Sequence, residues 1–101
     1  MLTPVRIVSK PRPMYTANAR ARHIEGEVLI DVDFRMDGNA TVVQIVQRLG
    51  YGLDETAVRA VEEIRFIPAS MNGVSIDVIA RTHVIFSLIS GPDDATTLDT
   101  Q

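Results

Sequence analysis

The chain lacks cysteine and tryptophan altogether and has few other aromatic residues. Its 101 residues include only two Tyr and three Phe. Without cysteine, neither disulfides nor thiol chemistry are available, and this absence is compatible with either side of a membrane. A surplus of positive charge is also missing, because the net charge is -3. Proteins that bind nucleic acid through its phosphates need such a surplus, so we expect no nucleic-acid partner.

Long apolar runs are absent as well. No segment approaches the roughly 20 apolar residues of a membrane-spanning helix, and residues 1–4 lack the apolar core of a signal peptide. We therefore expect any membrane anchor or export signal to lie outside this chain, which leaves open that it is a piece of a longer protein. The content of 46% hydrophobic and 23% charged residues is typical of one globular domain at this length.

The strongest pattern that the sequence does contain is a hairpin over residues 27–47. In its first strand, apolar side chains occupy every second position. They are Val28, Ile30, Val32, Phe34 and Met36. Alternation of this length predicts a strand with one buried face. Asp37-Gly38 then supplies the turn, because these residue types tolerate the positive φ angles of a tight hairpin.

The returning strand, residues 40–49, is rich in β-branched residues but less regular. Gln44 interrupts the Val42 and Val46 face, so we predict that Val43 and Ile45 point inward. A bulge just after the turn would bring Ala40 onto the same face.

The hairpin is preceded by an extended lead-in and a short helix. Residues 1–14 contain three prolines and predict the lead-in, with a short strand over residues 5–8 as an alternative. Thr16 is a suitable N-cap for the helix that follows. The inward side chains of this helix are predicted to be Ala17, Ala21 and Ile24.

A longer helix and a second long strand follow the hairpin. Apolar residues at helical spacing predict a helix from Asp54, as N-cap, to about Phe66, where Pro68 prevents continuation. Residues 76–89 alternate again and predict a strand. From residue 90 to residue 101 the composition is acidic and rich in threonine, which predicts a disordered tail.

These elements predict an α+β fold of two layers. A small antiparallel sheet, made of the hairpin and the long C-terminal strand, would have both helices on one face. The first hairpin strand should be central, which leaves the C-terminal strand as a long exposed edge. The domain boundaries expected from this order are 1–14 for the lead-in, 15–89 for the folded domain and 90–101 for the tail.

No catalytic, cofactor or metal site is predicted. His23 and His83 are far apart, and neither has a Cys, Asp or Glu at a ligand spacing. Asp31, Asp33 and Asp37 resemble part of a calcium loop, but Arg35 occupies one of the positions that needs an oxygen ligand. Alternating solvent-facing carboxylates on a strand explain the same pattern. We therefore expect a protein that is not an enzyme.

Several short segments, taken in order and spacing, resemble the C-terminal domain of TonB-type energy transducers. The similarity covers nearly the whole chain except the first few residues and the acidic tail. The segments are Pro13-Met14-Tyr15, Ala17-Asn18-Ala19-Arg20-Ala21, Ile24-Glu25-Gly26-Glu27-Val28, Asp37-Gly38, Leu53-Asp54-Glu55-Thr56-Ala57-Val58-Arg59-Ala60-Val61, Arg65-Phe66-Ile67-Pro68-Ala69 and Asn72-Gly73, followed by the last strand.

This resemblance implies a periplasmic domain that is tethered to the inner membrane through a segment absent from this chain. Such a domain binds the TonB box, a short extended segment of an outer-membrane receptor, as an added strand beside its last strand. It thereby couples the proton-motive force of inner-membrane motor proteins to active transport such as siderophore uptake. The exposed edge expected above agrees with this role, because unpaired backbone groups are a template for strand addition.

The resemblance also implies which residues contact the partner. On the last strand they are Ile79, Arg81, His83 and Ile85, and before the first helix they are Arg12, Pro13, Met14 and Tyr15. A protein-interaction module of the envelope without energy transduction is the alternative function. A homodimer formed through exposed edge strands is a further alternative.

Overall fold

A four-stranded antiparallel sheet forms the centre of the molecule, with the strand order β4-β3-β8-β9. The computed structural model describes residues 1–88 and the backbone of residues 95–100. The strands are β1 (Leu2–Thr3), β2 (Arg6–Ser9), β3 (Gly26–Phe34), β4 (Ala40–Gln47), β5 (Arg65–Ile67), β6 (Ser70–Met71), β7 (Val74–Ser75), β8 (Val78–Ser87) and β9 (Ala95–Thr100), and the helices are α1 (Ala17–Ala21) and α2 (Leu53–Glu62).

The core lies between one face of this sheet and the two helices. The inward side chains of β3 are all fully buried, namely Val28, Ile30, Val32 and Phe34. Buried side chains of α1 and α2 join the same cluster, so both helices cover one face of the sheet. The predicted two-layer α+β fold and the central position of β3 are therefore confirmed. Met36 is an exception, because it lies beyond the end of β3 and is 59% exposed.

Strand β4 differs from the prediction because it contains two bulges. Its pairing with β3 shifts register around Val43 and again around Val46, and both side chains are exposed. Val42 and Ile45 pack against the core instead. The prediction for Ile45 is correct and that for Val43 is wrong, because each bulge inserts a residue and reverses the parity of the strand.

Helix α1 is capped as predicted but buries a different side chain. The Thr16 hydroxyl accepts a hydrogen bond from the Ala19 amide at 3.2 Å. Ala19 is the buried residue of this helix, whereas Ala17 and Ala21 are exposed. The helix has only five residues, so the predicted spacing from Ala17 onward is not maintained.

Helix α2 begins one residue before the predicted cap and ends earlier than predicted. Gly52, at φ 80°, is the N-cap, and the last helical residue is Glu62. The chain then becomes extended as β5, which pairs with β2. This pairing, together with Pro68, ends the helix before Phe66.

The amino-terminal lead-in forms strands that stay outside the central sheet. Strand β2 pairs with β5, and β1 pairs with β6, which in turn pairs with β7. These short pairings bind the lead-in to the segment that connects α2 with β8.

The carboxy-terminal region departs most from the prediction. Strand β8 begins at Val78, and β9 runs antiparallel to it from Thr82 to Ser87. The prediction of a disordered tail is therefore wrong for Ala95–Thr100, and β8 is not an exposed edge along its whole length. Three threonines give this segment the β-branched residues that favour strands, which the acidic composition obscured. Residues 89–94 and 101 lie outside the described part of the chain.

Candidate functional site

The outer face of β8 brings together the four residues predicted on the last strand. Ile79, Arg81, His83 and Ile85 alternate with the core-facing residues of the strand. Ile79 is 62% exposed and Ile85 is 39% exposed, so both present apolar surface on this face. The four side chains therefore form a mixed apolar and cationic row on the face opposite the helices.

Arg81 is held in place by a polar network that crosses three strands. Its Nε donates to Asp31 Oδ1 at 2.9 Å, and its terminal nitrogen donates to Asp31 Oδ2 at 3.4 Å. Gln44 on β4 donates to Asp31 Oδ2 at 2.7 Å. These hydrogen bonds hold the pKa of the Asp31 carboxyl below its ordinary value, with the larger effect from Arg81 and the smaller from Gln44. The network fixes the guanidinium on the outer face.

His83 is oriented by a second cross-strand contact. Its Nδ1 contacts a carboxylate oxygen of Glu27 on β3. The backbone carbonyl of Glu27 accepts a hydrogen bond from Gln47 of β4 at 2.9 Å. The other ring nitrogen of His83, Nε2, is buried and has no hydrogen-bond partner within residues 1–88. The histidine ring therefore lies along the sheet surface rather than extending into solvent.

The second predicted group, residues 12–15, lies on the other side of the sheet. Tyr15 is only 8% exposed, and its ring packs edge-on against Phe86 with 5.4 Å between centroids. The Tyr15 hydroxyl donates to the backbone carbonyl of Ile24. Pro13 is buried as well, whereas Arg12 and Met14 are exposed. Because Phe86 faces the core, residues 12–15 reach β8 from the helix side, opposite Arg81 and His83.

The backbone of β8 is paired differently along its two edges. On one side, β3 pairs with it from Val78 to Phe86. On the other side, β9 covers only Thr82 to Ser87. In the described ranges 1–88 and 95–100, residues 78–81 have no strand on this side, and we call them the open stretch of β8. Unpaired backbone groups of this kind accept an added strand.

The sequence did not indicate the residues that orient this site. Asp31, Glu27 and Gln44 looked like ordinary outward polar residues of a hairpin. Their roles depend on the register between β3 and β8, which places Asp31 directly opposite Arg81, 50 positions away. The alternation in the sequence gave the face on which each residue lies. Which residues contact each other across the strands depends on the register between the strands.

Comparison with known proteins identifies a family over most of the chain. Residues 11–88 match the family described as Gram-negative bacterial TonB protein C-terminal. The protein TonB of Vibrio cholerae serotype O1 is 30% identical over 74 residues. The matched region covers 72% of this chain but only 30% of that relative's length. Neither helix in the described part of the chain is long and apolar enough to cross a membrane.

Proposed function

Because this chain belongs to the family of Gram-negative bacterial TonB C-terminal domains, we propose that it binds the TonB box of outer-membrane receptors by strand addition. These domains are periplasmic interaction domains of energy transducers. The proposed binding element is the edge of β8 that faces away from β3. Backbone hydrogen bonds along this edge would provide affinity, and side chains at alternate positions would select the partner.

The observation that carries this proposal is the open stretch of β8. Residues 78–81 pair with β3 on one side, and no strand within residues 1–88 and 95–100 pairs with them on the other. A receptor segment in extended conformation supplies the missing donors and acceptors at a spacing of about 4.8 Å between strands. To occupy the remainder of β8, the same segment has to displace β9, which pairs with Thr82 to Ser87.

We propose that the row of side chains on the outer face of β8 contacts the bound segment and contributes to its selection. Ile79 and Ile85 offer apolar contacts, and Arg81 and His83 offer polar ones. In the segment before α1, the exposed Arg12 and Met14 are the proposed contacts. Pro13 and Tyr15 are buried, and their proposed part is to hold those two neighbours in position.

Energy coupling is a proposal about the longer protein. The matched region covers 30% of the length of the Vibrio cholerae relative, whose name is that of the transducer itself. We assign this chain to the receptor-binding end of such a protein, tethered to the inner membrane and driven there by motor proteins. The transport served would be active uptake across the outer membrane, with siderophores as a cargo class.

The partial cover of the edge favours a second candidate function. This candidate is an interaction module of the envelope without energy transduction, which would bind its partner at residues 78–81 while β9 stays on β8. A homodimer joined through edge strands would use the same backbone groups.

Titration with synthetic TonB-box peptides tests the proposal. Peptides from the receptors of the same bacterium should bind the intact chain in fluorescence anisotropy, with Kd values in the micromolar to millimolar range. A matched control peptide carries proline at two consecutive central positions, which removes backbone donors and therefore should abolish strand addition. Equal affinity for both peptides would contradict strand addition, and sedimentation analysis of the free chain would detect the homodimer.

A further inference from the structure

A cavity of about 250 Å³ lies beside the open stretch of β8. Its walls come from the amino-terminal lead-in and from the core faces of two strands. Six of the lining residues are Leu2, Val5, Ile7, Phe34, Val78 and Ala80. We call this cavity the amino-terminal pocket.

The position of the pocket follows from the sheet register. Val78 and Ala80 point to the core face of β8, and Phe34 of β3 lies directly opposite Val78. Strand β9 pairs with β8 only from Thr82 onward. The pocket therefore adjoins the core face of the same four residues whose backbone lacks an outer neighbour in the described ranges. The lead-in, held by the pairing of β1 with β6 and of β2 with β5, covers it from above.

A strand that adds to the open stretch has to direct every second side chain toward this pocket. Side chains of paired strands that lie directly opposite each other have Cβ atoms about 4.5–5.5 Å apart and share one face of the sheet. Residues of the added strand opposite Val78 or Ala80 would thus stand on the core face, under the lead-in. Residues at the intervening positions would stand on the outer face beside Ile79 and Arg81.

The chemistry of the lining selects an apolar side chain. The described residues that line the pocket all have apolar side chains, so a charged group would lose hydration there without gaining a side-chain partner among them. An apolar cavity of about 150 Å³ already holds a benzene-sized group. The volume of about 250 Å³ is therefore sufficient for leucine, isoleucine, methionine or phenylalanine.

We propose that the amino-terminal pocket receives one apolar side chain of the extended segment that pairs with residues 78–81, and so sets the sequence and register of that segment. This inference rests on the proposed function, because it takes strand addition at β8 as given. It assigns the lead-in a role in partner selection through Leu2, Val5 and Ile7. The occupant is a side chain of the partner strand rather than a free apolar molecule.

The test is a leucine scan of a TonB-box peptide against the intact chain. A TonB-box peptide with serine at the positions that pair with residues 78–81 is compared with versions that carry a single leucine at each of those positions in turn. Leucine at one position that faces the core side should lower the Kd at least about tenfold. The free energy gained by burying a leucine side chain exceeds the free energy that corresponds to a tenfold change in Kd. Leucine at the adjacent positions should have a smaller effect.

Two variants of the chain link this preference to the pocket. Leu2 is 55% exposed, so Leu2→Asp introduces a charge into the lining with little disturbance of the core. Pro4 is also exposed and lines the same cavity outside β8, so Pro4→Asp places the charge at a second position. Both should reduce the leucine preference to less than about threefold, while the serine peptide binds as before. Val74→Asp is the matched control, because Val74 is 67% exposed on the adjoining β7 and does not line the pocket.

The outcomes separate this inference from the proposed function. If no peptide binds, strand addition and the pocket are both wrong. If peptides bind without a leucine preference, or if the preference survives both variants, the pocket proposal alone is overturned. A change in the sedimentation mass of the Leu2→Asp chain without a change in peptide preference would identify a second copy as the occupant and would also overturn it.

Discussion

Tyr15 lies in the segment proposed to contact the partner, residues 12–15, but has the surroundings of a core residue. The family resemblance implies that it contacts the partner, yet its ring packs on Phe86 and its hydroxyl donates to the backbone of Ile24. Arg20 lies over the same ring, with its guanidinium carbon 5.7 Å from the centroid. At the scale of this residue, the contacts favour a structural contribution to the site, made by fixing Met14 and Arg12.

The substitution Tyr15→Phe measures that contribution. It removes one hydrogen bond while retaining the ring, and should lower the free energy of unfolding by about 1 kcal/mol. Urea denaturation provides the measurement, and Tyr51→Phe, at a side chain 43% exposed, is the control that should change stability little. If Tyr15→Phe weakened peptide binding without lowering stability, the hydroxyl would be a direct contact and the structural account of it would be wrong.

The Asp31 carboxylate predicts a specific dependence of stability on pH. Hydrogen bonds from Arg81 and Gln44 lower its pKa in the folded chain relative to the unfolded chain. The resulting stabilisation is fully present above the unfolded pKa of about 3.9 and is lost as the pH falls through the lower folded pKa. Asp31→Asn should therefore be less stable than the parent at pH 7, and the two should converge below about pH 4.

Denaturation curves at pH 7, 5, 4 and 3 provide this comparison. Glu62→Gln is the control, since Glu62 is exposed at the end of α2. The free energy of unfolding of this control should stay close to that of the parent at all four pH values. A stability difference for Asp31→Asn that stayed constant over this range would mean that the cross-strand network does not depend on the ionised carboxylate.

At the scale of secondary-structure elements, the connection between β4 and α2 depends on a buried acid. Asp54 is 5% exposed, and its two carboxylate oxygens accept hydrogen bonds from the amides of Leu49, at 2.9 Å, and Gly50, at 3.0 Å. The side chain thus stabilises the turn before the helix, whereas the sequence indicated an N-cap for the helix itself. The difference arises because the positive φ of Gly50 and Gly52 turns the preceding backbone toward Asp54.

Asp54→Ala should destabilise the domain by about 2–3 kcal/mol, because two partly buried backbone amides lose a charged acceptor. Glu55→Ala is a close control, since Glu55 is the next residue of the same first helical turn and is exposed. Thermal or chemical unfolding of the two variants gives the comparison. Equal stability of both would show that the hydrogen bonds to Asp54 add little to the turn.

The elements also differ in how well the sequence predicted them. Burial on β3 and β8 follows strict alternation, which is a local property, and the predicted buried face of β3 is correct. The bulges of β4, the short α1 and the early end of α2 depend on partners that are distant in sequence. Alternation placed Ile79, Arg81, His83 and Ile85 on one face of the strand, and the family resemblance implied that they contact the partner. The open stretch could not be predicted, because it depends on the pairing of β9 with β8.

At the scale of the whole molecule, the proposed function makes β9 and a receptor segment competitors for one edge of β8. Strand β9 covers Thr82 to Ser87, and in the described part of the chain no strand pairs with residues 78–81 on that side. For a ligand that has to displace β9, the apparent affinity equals the intrinsic affinity multiplied by the fraction of molecules in which the edge is available. We therefore expect β9 to weaken the binding of a segment that pairs along the full length of β8.

Removal of residues 95–101 should increase the affinity for a TonB-box peptide several-fold. Anisotropy titration of the truncated and the intact chain measures this, with circular dichroism to verify that both are folded. The substitution Leu98→Pro is a second route to the same state, because proline interrupts the pairing of β9 while chain length is retained. Unchanged affinity in both would indicate that the partner uses only residues 78–81.

Strand addition at β8 is the central claim, and an amide-resolved NMR titration of the intact chain with TonB-box peptides tests it most directly. We predict that the largest shift changes occur at residues 78–81, continue along β8 as β9 is displaced, and include Arg12 and Met14. A weaker set on β3 should follow because β3 pairs with β8. No shifts at millimolar peptide, where a binding free energy of about -4 kcal/mol would be detected, would contradict the claim. Shifts confined to the β4 edge would contradict it equally.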